Sequence, residues 1–395
     1  MTSAVYPAGT IRRLAAARMA SVGGGAAAYA AIVFQVLEKT GDTFAVVAVM
    51  LATTGLQSIV LPFAGKWADH LGRRRVMIVS DVVAAAIFVV LARDLSATQL
   101  VVLAGLAAIA EAPFLPASAA AVPDIVAGEH ISRANGTLSS ATSLGRTAGP
   151  VLAIPLLALD GPQLVYLCNA VTFLISAALV FSVTISPPSR EPGSPIGMRS
   201  AARFIRATPA VYLILISSLT AYISTSFAMV AEPILADDFD VGVIGYNLMG
   251  AGWGLGLVLG GWFGGRNLKS ATEPRALLLG RVVMGVGIAT VPLAPWFSAV
   301  PALMMVGGFG SGVVLVAMHS QLQRHSPERI RSTVFAFFEA VGASAFVFGV
   351  LLAGVAVEGL GLRPAYLLAG VGTLLTAIPL YLNLRRSAAA RESGV

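Results

Sequence analysis

The chain has 395 residues, of which 57% are hydrophobic and only 11% are charged, and its formal net charge is +7. Soluble globular domains carry about a quarter charged residues, so this composition excludes that class. Apolar runs of about 20 residues, long enough to cross a bilayer as a helix, recur along the whole sequence. Strands of a membrane barrel would alternate polar and apolar residues instead. We therefore predict an all-α integral membrane protein.

Twelve apolar runs are predicted to be transmembrane helices, named span one to span twelve in chain order. Their expected limits are 14–37, 43–66, 74–93, 97–123, 134–158, 163–185, 209–233, 243–264, 275–297, 300–322, 333–357 and 363–384. Connections that follow odd-numbered spans hold only Lys39, Arg93 and Arg363, whereas the termini and the other connections hold 21 of the 26 basic residues. Because basic residues concentrate on the cytoplasmic side, both termini are expected there, in a bacterial-type inner membrane.

The polar segment 186–208, rich in proline, glycine, serine and arginine, separates spans six and seven. This composition is typical of a linker, and we weigh a solvated tether against a short amphipathic helix on the inner leaflet. "VPDIVAGEHISRANG" precedes span five, and the similar "HSPERIRSTVFA" precedes span eleven, about 200 residues later. Transporters are often built from such repeats. We therefore predict two pseudo-symmetric six-helix bundles, residues 1–185 and 209–395.

A charged loop, "GKWADHLGRRRVM", connects spans two and three. The accumulation of basic residues on the inner side accounts for its arginines but not for the spacing of the residues around them. Those residues are a glycine, an acid, a second glycine and a base: Gly65, Asp69, Gly72 and Arg73. At this spacing and in this connection, they resemble the loop signature of the major facilitator superfamily, and the resemblance extends over the whole chain.

The resemblance implies that this loop is a cytoplasmic gating motif, which holds the two halves together while the cavity faces outward. Asp69 is expected to accept hydrogen bonds from Arg73 and to face the positive N-terminus of span eleven. Asp124, at the inner end of span four, is a candidate second partner for the arginine. A static surface salt bridge is the alternative interpretation.

Span five contains "GTLSSATSLGRTAGPVLA", which resembles the antiporter motif of the same superfamily. The matching residues are Gly136, Gly145, Gly149 and Pro150, and Ala153 replaces a further glycine. The motif favours export, and the resemblance is closest to drug/proton antiporters of the macrolide-efflux and enterobactin-exporter type. Tight helix packing without a role in transport is the alternative.

Glycines of span five are expected to admit a neighbouring helix at close range, because small residues let two backbones approach. Span eight is the predicted partner. Its glycines at helix-packing positions recur every four residues and lie on one face: Gly252, Gly256 and Gly260.

Ionisable residues inside a membrane are functional candidates, because they are costly there. Glu111 in span four and Arg146 in span five are expected near the midplane, where they could form a pair that is either functional or purely structural. Pro113 and Pro116 weaken the helix beside Glu111. Other candidates for the substrate or proton pathway are Glu339, Gln35, Asn169 and Tyr222.

Related exporters often carry an acid in span one and an arginine in span four, where this chain has "SVGGGAAAY" and Glu111. Glu111 and Glu339 are therefore the first candidates for proton coupling.

The predicted function is secondary active efflux of an amphipathic small molecule by alternating access, coupled to inward proton flow. The expected partners are the substrate, protons and the lipid bilayer, with the monomer as the functional unit. No phosphate-binding loop, catalytic motif or metal-ligand spacing occurs, so we expect no enzyme activity, cofactor or metal. Basic residues are spread over short connections, which argues against nucleic-acid binding. Uptake or lipid flipping on the same scaffold, and an intramembrane enzyme, are the alternatives.

Overall fold

The structure is a computed structural model that describes residues 8–57, 59–60, 71–126, 130–185, 198–268 and 272–392. All regular elements in these residues are helical. In the first half, the helices are Ala8–Thr40, Thr43–Met50 with a π-helical turn at Leu51–Gly55, Arg73–Leu91, Ala97–Glu111, Phe114–Ile125 and Ile131–Phe181. In the second half, they are Met198–Ala207, Pro209–Asp238, Gly242–Asn267, Glu273–Thr290, Val300–His325, Glu328–Leu360, Leu362–Leu375 and Ala377–Glu392.

These helices account for the twelve predicted spans, and the all-α fold is confirmed. Nine stretches of the described chain are long and apolar enough to cross a bilayer, and one of them, Ala134–Phe181, contains both span five and span six. Thr43–Gly55 of span two is a shorter apolar helix. Span three, Arg73–Leu91, begins with three arginines and contains Asp81, which lowers its apolar character.

Two glycines at equivalent positions end the fifth span of each half. Asp160 and Gly161 leave the helical region between spans five and six, with a φ of 66° at Gly161. Gly361, between spans eleven and twelve, has a φ of 89°. Both backbones need the left-handed region, which glycine adopts without a steric penalty. The two glycines are 200 residues apart, so the repeat detected in the flanking sequences extends to backbone conformation.

The chain divides into two compact units. The first consists of Met1–Gly193 with Tyr246–Leu248, and the second of Ser194–Gly245 with Met249–Val395. The linker between spans six and seven is helical from Met198 to Ala207. Its Ala201 and Ile205 are buried in the apolar core of the second unit. The alternative of a fully solvated tether is therefore wrong for the described part of the linker, because its apolar face packs into the core of the second unit.

Span five packs tightly on span one inside the first unit. A Cβ atom added to Gly145 would lie 2.7 Å from the carbonyl oxygen of Met19, and one added to Gly149 would overlap the carbonyl oxygen of Gly23. The prediction that span eight fills this groove is therefore wrong. A backbone of small residues was already available on span one, in the same bundle.

The glycines of span eight pack on span ten instead. Added Cβ atoms at Gly252, Gly256 and Gly260 would overlap the backbones of Pro301, Met305 and Phe309, respectively. Span ten also contributes glycines to this contact, because Gly308 and Gly312 lie against the backbones of Trp253 and Leu257. The four-residue spacing thus correctly predicted that these glycines form a packing face. The helix that packs on this face is span ten, and not span five as we predicted.

We predict that Gly149→Ala destabilises the protein, whereas Gly136→Ala on the same helix does not. A Cβ atom at Gly136 would meet no atom within 4 Å, so this variant is the matched control. Overpacking of a close contact costs about 1–3 kcal/mol. The check is the apparent melting temperature of the detergent-solubilised variants by size-exclusion analysis. Equal melting temperatures for the two variants would contradict the close approach of spans one and five.

Candidate functional site

Two acids on neighbouring helices, one buried and one half-buried, form the polar centre of the first unit. Asp81 of span three is 1% exposed, and one of its carboxylate oxygens accepts a hydrogen bond of 3.3 Å from Ser21 of span one. Ser176 of span six faces the same carboxyl group. The second oxygen, Oδ2, has no hydrogen-bond partner. Asp81 thus lies inside the bundle.

Glu111 of span four lies next to Asp81. Ser80 donates a hydrogen bond to the carbonyl of Ala110, so the two helices touch one residue before each acid. Asp81 is the electrostatic neighbour of Glu111. Within the described residues, neither acid forms an ion pair with a basic side chain. The two carboxyl groups are therefore close together with no cation between them.

The expected pair of Glu111 and Arg146 is not formed. Arg146 is exposed and makes no ion pair with Glu111, both residues lying in the described part of the chain. A methyl group on Gly25 would instead lie 3.4 Å from Glu111 Oε2, so the carboxyl group points toward span one. Matched depth along two helices was insufficient to predict a contact, because the rotation of each helix about its axis decides which side chains meet.

Span four is interrupted directly after Glu111. One helix ends at Glu111, the next begins at Phe114, and the residues between them, Ala112 and Pro113, retain nearly helical backbone angles. The proline provides no N–H for the helix. The predicted weak point is therefore present beside the acid.

The three consecutive glycines of span one touch three different helices. Gly23 contacts Gly145 of span five, Gly24 contacts Asn169 and Thr172 of span six, and Gly25 faces Glu111 of span four. A Cβ atom at Gly24 would overlap the side chains of Asn169 and Thr172, whereas one at Gly25 would only touch Glu111. The run therefore marks span one as the central helix of the first unit.

A further buried cation, Arg18, was not singled out from the sequence. Its guanidinium donates to Ser118 Oγ at 2.8 Å and to the carbonyl of Leu115 at 3.0 Å, and the residue is 9% exposed. Both partners are on span four and both are neutral. Arg18 therefore lies in the span and does not belong to a cytoplasmic terminus.

Two of the candidate pathway residues are held in contacts between helices. Gln35 accepts a hydrogen bond of 2.8 Å from the hydroxyl of Tyr166, and both residues are buried. Asn169 is 1% exposed, accepts from Thr172 at 3.2 Å and leaves its Nδ2 without a partner. Both residues join span one to span six.

The loop signature is only partly described. Gly65 and Asp69 lie outside the described residues. Gly72 precedes span three with a φ of 86°, and Arg73 donates to the carboxylate of Asp124 and to the carbonyl of Ala120. The side chains of Arg73 and Asp124 are 16% and 6% exposed, respectively. The arginine therefore ties the inner ends of spans three and four together.

The second unit contains a buried arginine in an unexpected position. Arg281 of span nine is 5% exposed and donates to Ser218 Oγ of span seven at 3.3 Å. It lines a cavity of about 120 Å³ together with Tyr222 and other residues of spans seven, nine and ten. Its burial shows that the side chain stays inside the unit and does not extend to the membrane interface.

Other ionisable groups of the second unit lie away from this arginine. Glu339 is exposed on span eleven and interacts electrostatically with Tyr222 and His319. Glu232 of span seven faces the hydroxyl of the buried Tyr366, which donates to Met304 Sδ at 3.4 Å. In the part of the chain that the structure describes, no group of acids, histidines and cysteine has the arrangement of a metal site.

Equivalent polar contacts recur in the two units. The matching pairs are Arg73–Asp124 and Glu273–Arg324, Ser21–Asp81 and Ser218–Arg281, and Gln35–Tyr166 and Glu232–Tyr366. Members on spans three, four and six lie 200 residues before their counterparts, and members on span one lie 197 residues before theirs. In two of the three cases the charge is reversed between the units. Aligning the halves by hand at this offset would have identified both Asp81 and Arg281.

Comparison with known proteins agrees with this architecture. The family model described as Major Facilitator Superfamily matches residues 14–222 and 214–395. The chain is 25% identical over 365 residues to the multidrug efflux pump Tap of Mycolicibacterium fortuitum, with 87% of this chain and 88% of Tap covered. It is 26% identical over 239 residues to the enterobactin exporter EntS of Escherichia coli, a match that covers 60% of this chain and 57% of EntS.

Solved structures with the same fold cover almost the whole chain. A bacterial homologue of the human lysosomal transporter Spinster, in an inward-facing and occupied conformation, has a TM-score of 0.76 at 14% identity and covers 97% of this chain and 98% of its own. A mutant of the nucleoside transporter NupG has a TM-score of 0.73 at 14% identity and covers 94% of this chain and 98% of its own. With its family model matched across both halves, its twelve helical spans and its repeated polar contacts, the chain belongs to the Major Facilitator Superfamily.

Proposed function

We propose that this protein exports amphipathic small molecules by alternating access, in exchange for protons that move inward. The observation that carries the proposal is the pair of neighbouring acids, buried Asp81 and half-buried Glu111, neither of which has a basic ion-pair partner among the described residues. Ionising both would bring two like charges into low-dielectric surroundings, so the pair is suited to hold and exchange a proton. The similarity to an efflux pump over most of the chain supports the outward direction of transport.

The surroundings of Glu111 provide a plausible route for the proton. Its carboxyl group faces Gly25, where no side chain of span one intervenes. Pro113 and Pro116 leave two carbonyls of span four without their usual helical donors, and these carbonyls are acceptors for water. A small change in the bend at Pro113 would alter the distance between Glu111 and Asp81 and hence the ease with which they hold a proton.

The two six-helix halves, residues 1–185 and 209–395, are proposed to move as the two domains of the transporter. We propose that the protein lies in a bacterial inner membrane and is active as a monomer. Tyr222 and Glu339 remain proposed members of the substrate or proton pathway. Gln35 and Asn169 are better suited to hold span one against span six, because each contacts the neighbouring helix.

The first prediction of this proposal concerns the acid pair. In liposomes with an imposed pH gradient, Glu111→Gln and Asp81→Asn should each abolish proton-driven accumulation of an amphipathic substrate but retain its downhill exchange. Glu358→Gln is the control, because this acid is exposed at the far end of span eleven. The measurement is uptake of radiolabelled tetraphenylphosphonium and naproxen into vesicles with known orientation. Full accumulation of the substrate by both variants would exclude a role of the two acids in proton coupling. Accumulation of the substrate in the opposite direction would indicate that the protein is an uptake transporter.

A second prediction concerns orientation. With Cys168→Ser as the background, Asp94→Cys and Asp238→Cys should react with an impermeant maleimide in intact cells, because these side chains are 93% and 46% exposed in connections assigned to the outside. Ser194→Cys should react only after permeabilisation. Labelling of Ser194→Cys in intact cells would reverse the proposed topology.

The third prediction separates a gate from a static ion pair at the inner ends of spans three and four. We propose that Arg73 serves both Asp124 and Asp69, as the loop signature implies. Asp124→Asn should lower expression, because breaking a largely buried pair costs about 3–5 kcal/mol. The exchange Arg73→Glu with Asp124→Arg should restore expression but not transport, since Asp69 then loses its partner.

The second unit supplies the matched control for this exchange, because its equivalent pair already has the reversed polarity. Glu273→Arg with Arg324→Glu should keep both expression and transport. Expression is measured as folded protein recovered by size exclusion, and transport in vesicles at equal protein content. Normal transport by the Arg73→Glu, Asp124→Arg variant would leave the ion pair with a structural role only.

A further inference from the structure

A buried arginine without an acidic partner faces the cavity of the second unit. Arg281 is 5% exposed, donates a hydrogen bond to Ser218 and interacts electrostatically with Tyr222. Its Nε has no hydrogen-bond partner. No carboxylate of the described residues lies within ion-pair distance of it. A buried cation in this condition is costly, so an anion from outside the chain would satisfy it.

The cavity beside Arg281 has the chemistry of a site for an amphipathic anion. Hydroxyl groups come from Ser218, Tyr222, Thr225 and Ser311, and the remaining wall is formed by alanine, valine, leucine and methionine side chains. The Ser311 hydroxyl lines the cavity and can donate to a ligand there. The volume of about 120 Å³ has room for several water molecules or for one small anionic group.

Comparison with the first unit shows that the two halves place opposite chemistry at equivalent positions. Asp81 and Glu111 occupy the positions equivalent to Arg281 and Ser311, since each pair of numbers differs by 200. The first unit thus places two acids where the second places a base and a hydroxyl. Glu339 of span eleven interacts electrostatically with Tyr222 and His319 and not with Arg281.

We propose that this cavity binds the anionic group of a transported molecule, so that the substrates include amphipathic organic acids. The guanidinium of Arg281 donates to a carboxylate or a similar planar oxyanion, in the paired geometry that favours arginine for such groups. Met284, Val314 and Met318 contact the apolar body of the ligand. The inference rests on the proposed transport function, but binding is measured without transport, so the two fail separately.

The test compares two carboxylates with their uncharged esters. Purified protein in detergent is titrated with naproxen and with dansyl-phenylalanine, and each titration is repeated with the corresponding methyl ester. Wild-type protein should bind each acid more tightly than its ester. Arg281→Gln should weaken binding of the acids by about 10- to 100-fold, the range for a charge-assisted hydrogen bond, and leave the esters unchanged.

Two further variants keep the test decisive. Arg275→Gln removes a charge from an exposed position of the same helix and should change nothing. Ser311→Leu narrows the cavity and should weaken the binding of acids and esters alike. This variant tests whether the ligand binds in the cavity, because it leaves the charge of Arg281 unchanged. Equal affinity of the wild-type protein for acids and esters, no saturable binding of either acid, or an unchanged preference in Arg281→Gln would each overturn the proposal. Loss of proton-driven export with the preference intact would count only against the proposed function.

Discussion

The scarcity of water inside a bilayer is the constraint on which this structure depends. A charge in the spans must be satisfied by the protein itself, and this chain does so with neutral groups. Arg18 is bound by a serine and a carbonyl, Asp81 by a serine, and Arg281 by another serine. Among the residues that the structure describes, opposite charges meet at the helix ends, as in Arg73–Asp124 and Glu273–Arg324. In our proposals the pairs at the ends hold helices together, while Asp81 and Arg281 inside the units serve protons and ligands.

Close approach of helices makes this arrangement possible. The glycine run of span one brings three neighbours against one backbone, so serine and acid side chains from different spans reach each other across short distances. Span eight and span ten achieve the same in the second unit by alternating glycines.

The duplicated architecture gives the two units equivalent frames with opposite chemistry. The serine of the first span contacts the third span in both halves, but the contacted residue is Asp81 in one and Arg281 in the other. The same helix arrangement can thus provide an acidic site suited to protons in one unit and a basic site suited to anions in the other. This division of roles agrees with a transporter that exchanges one for the other.

Sequence alone determined the membrane class, the twelve spans, the repeat and the family, because hydropathy, basic residues and motif spacing are properties of local segments. It also located the weak point of span four at Pro113 and the packing face of span eight. Tertiary structure decided the partners. Glu111 meets Asp81 and not Arg146, span five meets span one and not span eight, and Arg281 lines a cavity. These contacts depend on the rotation of each helix about its axis and on which helices are neighbours. Hydrophobic periodicity constrains neither inside a bundle where most faces are apolar.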